Sequence, residues 1–245
     1  MQVHTSQTAE ELGVAAAAKA AEVLNDRIAK QGRARIVLST GASQFTFFQA
    51  LEKHAIDWSK VDMFHLDEYV DLPESHIASF RKYLKERFIS FAPVANAYFV
   101  DGEGDVRSKI AALTAEIRKA PVDLALIGIG ENAHIAFNDP PADFDTDEAY
   151  RVVDLDDACK TQQVREGWFA SLDEVPKQAI TMTVSQIMSS AVIISCVPHA
   201  VKANAIRNTL QEGVSNKIPA SILKTHAEWW LFLDEASASG IDSAS

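Results

Sequence analysis

The sequence predicts an α/β fold, with a mostly parallel open sheet covered by helices on both faces. Short apolar runs rich in Val, Ile and Leu alternate with longer amphipathic stretches along the 245 residues. Parallel strands joined by crossover helices produce this alternation, because each strand is buried on both faces. No Pro-, Gly- or Ser-rich linker divides the body of the chain. We therefore expect a single domain over residues 1–235, followed by a flexible C-terminal tail over residues 236–245.

The individual elements can be placed along the chain from their patterns. Thr8 and Glu11 have the spacing of a capping box, which predicts a helix from there to about Lys30. The alanines of this helix suggest close packing against a sheet. Further helices are expected over 43–51, 77–88, 105–119 and 200–212. Strands are expected over 35–39, 61–66, 98–100, 122–127, 180–184, 192–197 and 229–233.

Composition excludes several classes of protein. The net charge of −11 argues against a nucleic-acid partner. Cys159 and Cys196 make neither a disulfide framework nor a metal cluster, which favours a reducing compartment. No signal peptide and no apolar run of bilayer length is visible, so no membrane association is expected. We expect a cytoplasmic globular protein, in which local positive groups must attract any anionic substrate.

The segment 128–140 carries the most chemical information. It leaves the apolar run 122–127 through two glycines, at the carboxyl end of a strand, where open α/β sheets bind ligands. His134 lies near Glu131, Asn132 and Asp139, which can orient its ring for proton exchange near neutral pH. The alternative is a surface loop in which the histidine caps a turn. No second histidine or cysteine lies at ligand spacing, so no metal is expected.

A second strand-to-helix turn has the composition of an anion-binding loop. Glycine allows the backbone to approach a ligand closely, while hydroxyls and the first helical amides can bind an anion. Taken alone, a tight turn with a helix cap is the more common outcome. Lys202 begins a later helix, where the helix dipole disfavours a cation unless it has another role, such as holding a phosphate. The loop residues are Thr40, Gly41, Ala42 and Ser43.

Asp67, Glu68 and Tyr69 follow the predicted strand 61–66. They therefore occupy the same edge of the sheet as the two segments above. A carboxylate there can abstract a proton from carbon if its pKa and position suit the substrate. A solvated acidic turn is the alternative, and the neighbouring motifs favour the catalytic interpretation.

Together these segments resemble the glucosamine-6-phosphate deaminase family, which is related to the 6-phosphogluconolactonases. The resemblance covers residues 33–235 and implies a Rossmann-like fold of the sugar-phosphate isomerase/deaminase type. Tyr69 and the run 135–138 place the chain on the deaminase/isomerase side rather than the lactonase side. The five matching segments are Thr40-Gly41, Asp67-Glu68-Tyr69-Val70, His134-Ile135-Ala136-Phe137-Asn138, Lys202-Ala203 and Pro219-Ala220-Ser221-Ile222-Leu223.

The resemblance implies a reaction without metal or other cofactor, from an amino-sugar 6-phosphate to a ketose 6-phosphate and ammonia. Asp67 would take the C2 proton, and His134 would assist ring opening. The residues expected to contact substrate are Thr40, Gly41, Ala42, Ser43, Glu68, Gly130, Arg165 and Lys202. The expected partner is a small-molecule sugar phosphate, either glucosamine 6-phosphate or its galacto epimer. A homo-oligomer is compatible with the sequence, which identifies no subunit interface.

The chain departs from the family pattern around His134. Asn132 replaces an aspartate, Ala133 a glycine and Asp139 a glutamate, and Gln44 stands where a proline is usual. An amide orients an imidazole but supplies no charge. Either ring opening is slower, or Glu131 replaces the missing charge. If residue 133 needs a positive φ, its methyl group costs about 1 kcal/mol.

Three alternatives are compatible with the sequence. One is a 6-phosphogluconolactonase-like hydrolase, and another is a simple aldose–ketose isomerase; lactone consumption without ammonia would favour the former. The third is a non-catalytic phosphosugar sensor, which ligand-induced stabilisation without product would favour. Asp67 argues against the sensor, because an acid is unnecessary in a pocket that only binds an anion.

Overall fold

The computed structural model describes residues 1–241, which form a large parallel sheet, a small antiparallel sheet and surrounding helices. Within that range the strands are β1 (Gln2–Ser6), β2 (Ala34–Leu38), β3 (Val61–His65), β4 (Asp67–Tyr69), β5 (Asn96–Tyr98), β6 (Leu124–Leu126), β7 (Tyr150–Asp154), β8 (Gln178–Met182), β9 (Val192–Val197) and β10 (Trp229–Asp234). The α-helices of the same range are α1 (Ala9–Gln31), α2 (Phe45–Leu51), α3 (Phe80–Leu84), α4 (Val106–Ile117), α5 (Asp157–Arg165), α6 (Val184–Met188), α7 (Ala203–Gln211) and α8 (Glu235–Ala238). None of these helices is long and apolar enough to cross a membrane.

The large sheet has the strand order β1-β10-β9-β6-β2-β3-β5, and every neighbouring pair in it is parallel. This confirms the predicted mostly parallel sheet. From β2 the chain builds outward through β3 and β5, then returns to β6 and builds the other side through β9 and β10. The direction of growth therefore reverses between β2 and β6. Such a reversal opens a crevice at the carboxyl ends of the strands, which is where these sheets bind ligands.

Apolar layers cover both faces of the large sheet. Ile36 and Leu38 of β2 pack in one layer with α1 and α2, whereas Val37 packs in the other with α4 and α7. Because side chains alternate along a strand, a strand buried on both faces is mostly apolar. All five residues of β2 are buried, which explains the apolar run 36–38 seen in the sequence. Arg35 is buried as well, and its guanidinium donates to the Ile117 carbonyl at 2.9 Å.

Helix α1 begins where the capping pattern predicts. The Thr8 hydroxyl accepts a hydrogen bond from the Glu11 N–H at 3.2 Å. The Glu11 carboxylate accepts from the N–H of Gln7 at 3.0 Å rather than from that of Thr8. The helix ends at Gly32, whose φ of 80° lies in the left-handed region that favours glycine. Ala16 is among the fully buried alanines of α1, in line with the predicted close packing.

The small sheet has the order β4-β8-β7 and is antiparallel. The predicted strand 180–184 forms its middle strand, beginning two residues earlier than expected. A single residue, Leu66, separates β3 from β4, and its carbonyl accepts from the Met182 N–H at 2.8 Å. This short connection turns Asp67 and Glu68 out of the large sheet and pairs them with β8.

The end of the chain differs from the predicted tail. Residues 235–238 form α8, because Asp234 caps it: its carboxylate accepts from the Ser237 N–H at 2.7 Å, and the Ser237 hydroxyl accepts from the Asp234 N–H at 3.2 Å. This reciprocal pair satisfies donors that would otherwise be free at the helix start. The prediction of a tail from residue 236 is wrong for this helix, and residues 242–245 lie outside the described range.

Candidate active site

A cavity of about 430 Å³ lies at the carboxyl ends of β2, β3, β6 and β9. These four strands are adjacent in the large sheet, so the loops that follow them converge on one place. The volume suits a small metabolite. The predicted site residues that line it are Thr40, Gly41, Ala42, Ser43, Asp67, Gly130, Glu131, His134, Arg165 and Lys202. Glu68, Asn132 and Asp139 do not line it.

The loop after β2 is held in place from both sides. Gly41 has a φ of 106°, which lies in the region that favours glycine, and its carbonyl accepts from the Tyr83 hydroxyl at 2.8 Å. The buried Gln44 amide donates to the Ser43 hydroxyl oxygen at 3.0 Å and to the Cys196 carbonyl at 3.2 Å. Gln44 thus ties the loop to β9. Since the Ser43 oxygen accepts from Gln44, its own hydrogen is available to donate into the cavity.

Asp67 is the buried acid of the cavity. It is 7% exposed, and no residue within 1–241 donates a hydrogen bond to its carboxyl group. Burial, together with the neighbouring Glu68, raises the pKa of Asp67 to about 8. Desolvation disfavours the charged carboxylate, and nothing nearby compensates for it. The group therefore exchanges a proton close to neutral pH.

Glu68 points away from the cavity, although it was expected to bind substrate. Its carboxylate accepts from the Arg81 guanidinium at 3.2 Å and from the Ser79 hydroxyl at 2.9 Å. It also accepts from the backbone N–H groups of Tyr69, Phe80 and Arg81. Burial raises the pKa of Glu68, and these donors work in the opposite direction. Its position fastens β4 to the start of α3, which explains why α3 begins at Phe80 rather than near residue 77.

His134 faces the cavity and is backed by two polar side chains. Its Nδ1 lies 2.6 Å from Oδ1 of Asn132 and 3.2 Å from Oδ1 of Asp139. Asn132 Oδ1 also accepts from the His134 N–H at 3.1 Å, while its Nδ2 donates to Asp139 at 3.0 Å. These two contacts fix which atom of the Asn132 amide faces His134, and that atom is the oxygen. Because Oδ1 only accepts hydrogen bonds, Nδ1 of a neutral His134 carries the proton and Nε2 keeps a lone pair.

Asp139 therefore reaches His134 despite its shorter side chain. Burial tends to raise the pKa of Asp139, but the hydrogen bonds from His134 and Asn132 prevail and hold it below its usual value. Asp139 is thus ionised at neutral pH, and a charge remains beside the imidazole. The predicted loss of charge at position 132 is offset by Asp139 rather than by Glu131, whose carboxylate pairs with Arg165.

The backbone around His134 is unusually constrained. A Cβ atom on Gly130 would lie 2.2 Å from the His134 ring, so only glycine lets the imidazole pack there. Ala133 has a positive φ of 65°. Its methyl group therefore adds the strain that was expected for a positive φ at this position. That methyl group is also buried in the apolar layer with Ile129, which offsets part of the strain.

The cations of the cavity come from two helices. Lys202 lies at the start of α7, as expected, and burial lowers its pKa while Glu166 and Glu131 act in the opposite direction. Arg165 ends α5, a helix that was not predicted from the sequence. Within residues 1–241 no group of three or more His, Cys, Asp or Glu side chains is arranged to hold a metal ion.

Several residues that line the cavity were not predicted. Residues that follow the end of a strand were expected to line the site, and this rule could also have identified Ser39, Leu66 and His199. Phe80 and Trp168 carry no such signal. They reach the cavity from α3 and from the segment after α5, through packing that depends on the small sheet.

Known proteins match this chain over most of its length. A family model described as glucosamine-6-phosphate isomerases/6-phosphogluconolactonase matches residues 7–232. A glucosamine-6-phosphate deaminase of Streptococcus equi subsp. equi is 34% identical over 221 residues, covering 90% of this chain and 92% of that protein. A glucosamine-6-phosphate deaminase of Oenococcus oeni is 33% identical over 210 residues, covering 85% of this chain and 87% of that protein.

Solved structures show the same relationship. That of a monomeric glucosamine-6-phosphate deaminase has a TM-score of 0.89 and 28% identity, covering 98% of this chain and 100% of that one. A 6-phosphogluconolactonase from Thermotoga maritima has a TM-score of 0.79 and 16% identity, covering 95% of this chain and 99% of that one. At this identity the likeness shows a shared fold alone. The chain is therefore an enzyme that belongs to the glucosamine-6-phosphate isomerase/6-phosphogluconolactonase family.

Proposed function

We propose that the protein is an amino-sugar-phosphate deaminase/isomerase. It converts glucosamine 6-phosphate, or an epimer, to the matching ketose 6-phosphate and ammonia. The observation that carries the proposal is the Asp67 carboxyl group: it faces the cavity, has no hydrogen-bond donor within residues 1–241 and has a pKa of about 8. A general base is most effective when its pKa lies near the working pH.

The phosphate binds at one end of the cavity. The loop 40–43 presents hydroxyl and backbone N–H groups there, and Arg165 and Lys202 supply positive charge. A dianionic phosphate makes strong hydrogen bonds to such charged donors. These local cations oppose the repulsion from the net charge of −11.

His134 assists ring opening. Its Nε2 lone pair accepts the proton of the C1 hydroxyl while the C1–O5 bond breaks and O5 takes up a proton. The product is the open-chain aldehyde. Asp139 stabilises the imidazolium that forms, since its carboxylate lies 3.2 Å from Nδ1.

Asp67 then moves a proton between carbons. Its carboxylate removes the proton from C2 as the aldehyde oxygen takes one up, which gives an enolamine. The Asp67 carboxyl group returns a proton to C1, and C2 becomes an imine. Water adds to that carbon and ammonia leaves, so that the ketose 6-phosphate remains.

Ammonia release from glucosamine 6-phosphate and from its galacto epimer tests the proposal. We expect release from at least one of them, with ketose phosphate formed in equal amount. Folded protein that releases no ammonia from either, or that consumes 6-phosphogluconolactone without ammonia, would contradict it.

Gly130→Ala is expected to lower kcat/KM by about 100-fold, because the added methyl group displaces the His134 ring and misplaced catalytic groups cost that much. Gly213→Ala is the matched control. Gly213 is exposed and lies outside the cavity, and a Cβ atom there would meet no atom within 4 Å. Steady-state kinetics of the two variants check this prediction, and equal losses would contradict the proposed role of the His134 position.

A further inference from the structure

Four charged side chains line one part of the cavity: the cations Arg165 and Lys202 and the carboxylates Glu131 and Glu166. The Glu166 carboxylate is held by its own segment, since it accepts from the side chains of Gln162 at 2.7 Å and Trp168 at 3.2 Å. The Glu131 carboxylate, by contrast, pairs with a side chain from a different segment. Within residues 1–241 its side-chain partner is the Arg165 guanidinium.

The pair between Glu131 and Arg165 is well placed to be exchanged. The Arg165 side chain is 55% exposed and that of Glu131 is 23% exposed. Ion pairs this accessible to water are weak, so an incoming anion can displace one at little cost. Glu131 also acts on the second cation, because its charge opposes the effect of burial on the pKa of Lys202.

We propose that Glu131 is an internal counter-ion of the anion site. Its carboxylate pairs with the Arg165 guanidinium, and the phosphate of the substrate must displace it from that cation. Glu131 is therefore a positioning residue that weakens phosphate binding and leaves the proton transfers unchanged. The inference rests on the proposed function, because it takes the anion of this cavity to be a phosphate group.

The consequence is a gain of affinity when Glu131 is neutralised. Glu131→Gln frees Arg165 for a bidentate contact with phosphate and removes a repulsive charge beside Lys202. We expect phosphate to bind about two- to fivefold more tightly, the range that corresponds to an accessible ion pair. For the sugar phosphate, KM falls by a similar factor while kcat stays within about twofold, since binding alone is altered.

Isothermal titration with inorganic phosphate tests the inference on the full-length protein. Four variants are compared with the wild type: Glu131→Gln, Arg165→Gln, the double variant, and Glu52→Gln as matched control. Glu52 is exposed and lies outside the cavity, so its variant removes the same charge at a distance. We expect tighter binding in Glu131→Gln, no change in Glu52→Gln, and no gain from Glu131→Gln once Arg165 is replaced.

Unchanged or weaker phosphate binding in Glu131→Gln would overturn the inference, as would an equal gain in Glu52→Gln or a full gain in the Arg165→Gln background. Failure of the wild type and Glu131→Gln to bind phosphate would overturn the inference together with the phosphate site. Tighter binding in Glu131→Gln by a protein that releases no ammonia would support the counter-ion and reject the deaminase.

Discussion

Asp67→Asn is expected to lower kcat for ammonia release by about 10²–10⁴-fold, the usual contribution of a general base. The amide keeps the shape of the side chain but cannot accept a proton. Binding of inorganic phosphate should persist, because the loop 40–43 and Lys202 are unchanged. In the wild type, kcat/KM should rise with pH through about 8, as the Asp67 carboxyl group ionises.

The same substitution is expected to stabilise the fold. The pKa of Asp67 is about 8 when folded, above its ordinary 3.8, so the native state binds the extra proton between these values. The contribution of Asp67 to the free energy of unfolding therefore falls by about 1.4 kcal/mol for each unit by which the pH rises across that window. An amide at this position does not titrate there, so the stability gained by Asp67→Asn grows from about pH 4 to pH 8.

Urea unfolding at several pH values, with ammonia release measured in parallel, checks both expectations. Asp147→Asn is the matched control, because Asp147 is exposed and lies outside the cavity. Full activity in Asp67→Asn would remove Asp67 from the mechanism. A stability gain that does not change with pH would contradict the raised pKa.

Arg81→Met is expected to lower the free energy of unfolding by about 3–5 kcal/mol, the typical cost of breaking a buried ion pair. Arg81 is 4% exposed and Glu68 is fully buried, with 3.2 Å between the guanidinium Nε and the carboxylate. Arg81 also donates to the Leu72 carbonyl at 2.9 Å and to Asp101 at 2.8 Å. Methionine fills much of the volume but leaves the Glu68 charge without its cation.

The loss should be smaller at pH 5 than at pH 8. Burial already raises the pKa of Glu68, and removing Arg81 raises it further, so acid neutralises the stranded carboxylate. Adding Glu68→Gln to Arg81→Met should recover part of the stability for the same reason. Urea unfolding of these variants checks this, with the exposed Arg107→Met as control. A loss no larger than that of the control would contradict the role of the pair.

The central strands of the large sheet were predictable because they are buried on both faces, whereas the largely exposed edge strand β1 was not predicted. Apolar runs make up much of β2, β9 and β10, over residues 36–38, 192–194 and 229–233, and several of the helices between them have clear patterns. Two of the three strands of the small sheet, β4 and β7, were not predicted, for the opposite reason. β4 is three residues long, and β7 is only partly buried, so neither forms an apolar run.

The candidate site was predictable only in part. Chain order identifies which segments follow strand ends, and this rule brings Ser43, Asp67, His134 and Lys202 to one cavity. It does not identify salt-bridge partners that are distant in the chain. The pairing of Glu131 with Arg165, across 34 residues, depends on where α5 packs.

The sequence by itself determined the α/β fold, the edge of the sheet that holds the cavity and the family. Only the tertiary structure decided which of two adjacent acids faces the cavity. Side chains alternate along a strand, so Asp67 and Glu68 must point in opposite directions. The pairing of β4 with β8 turns Asp67 toward the cavity and Glu68 toward Arg81. That choice depends on contacts between segments more than 100 residues apart in sequence, since Asp67 pairs with Thr181.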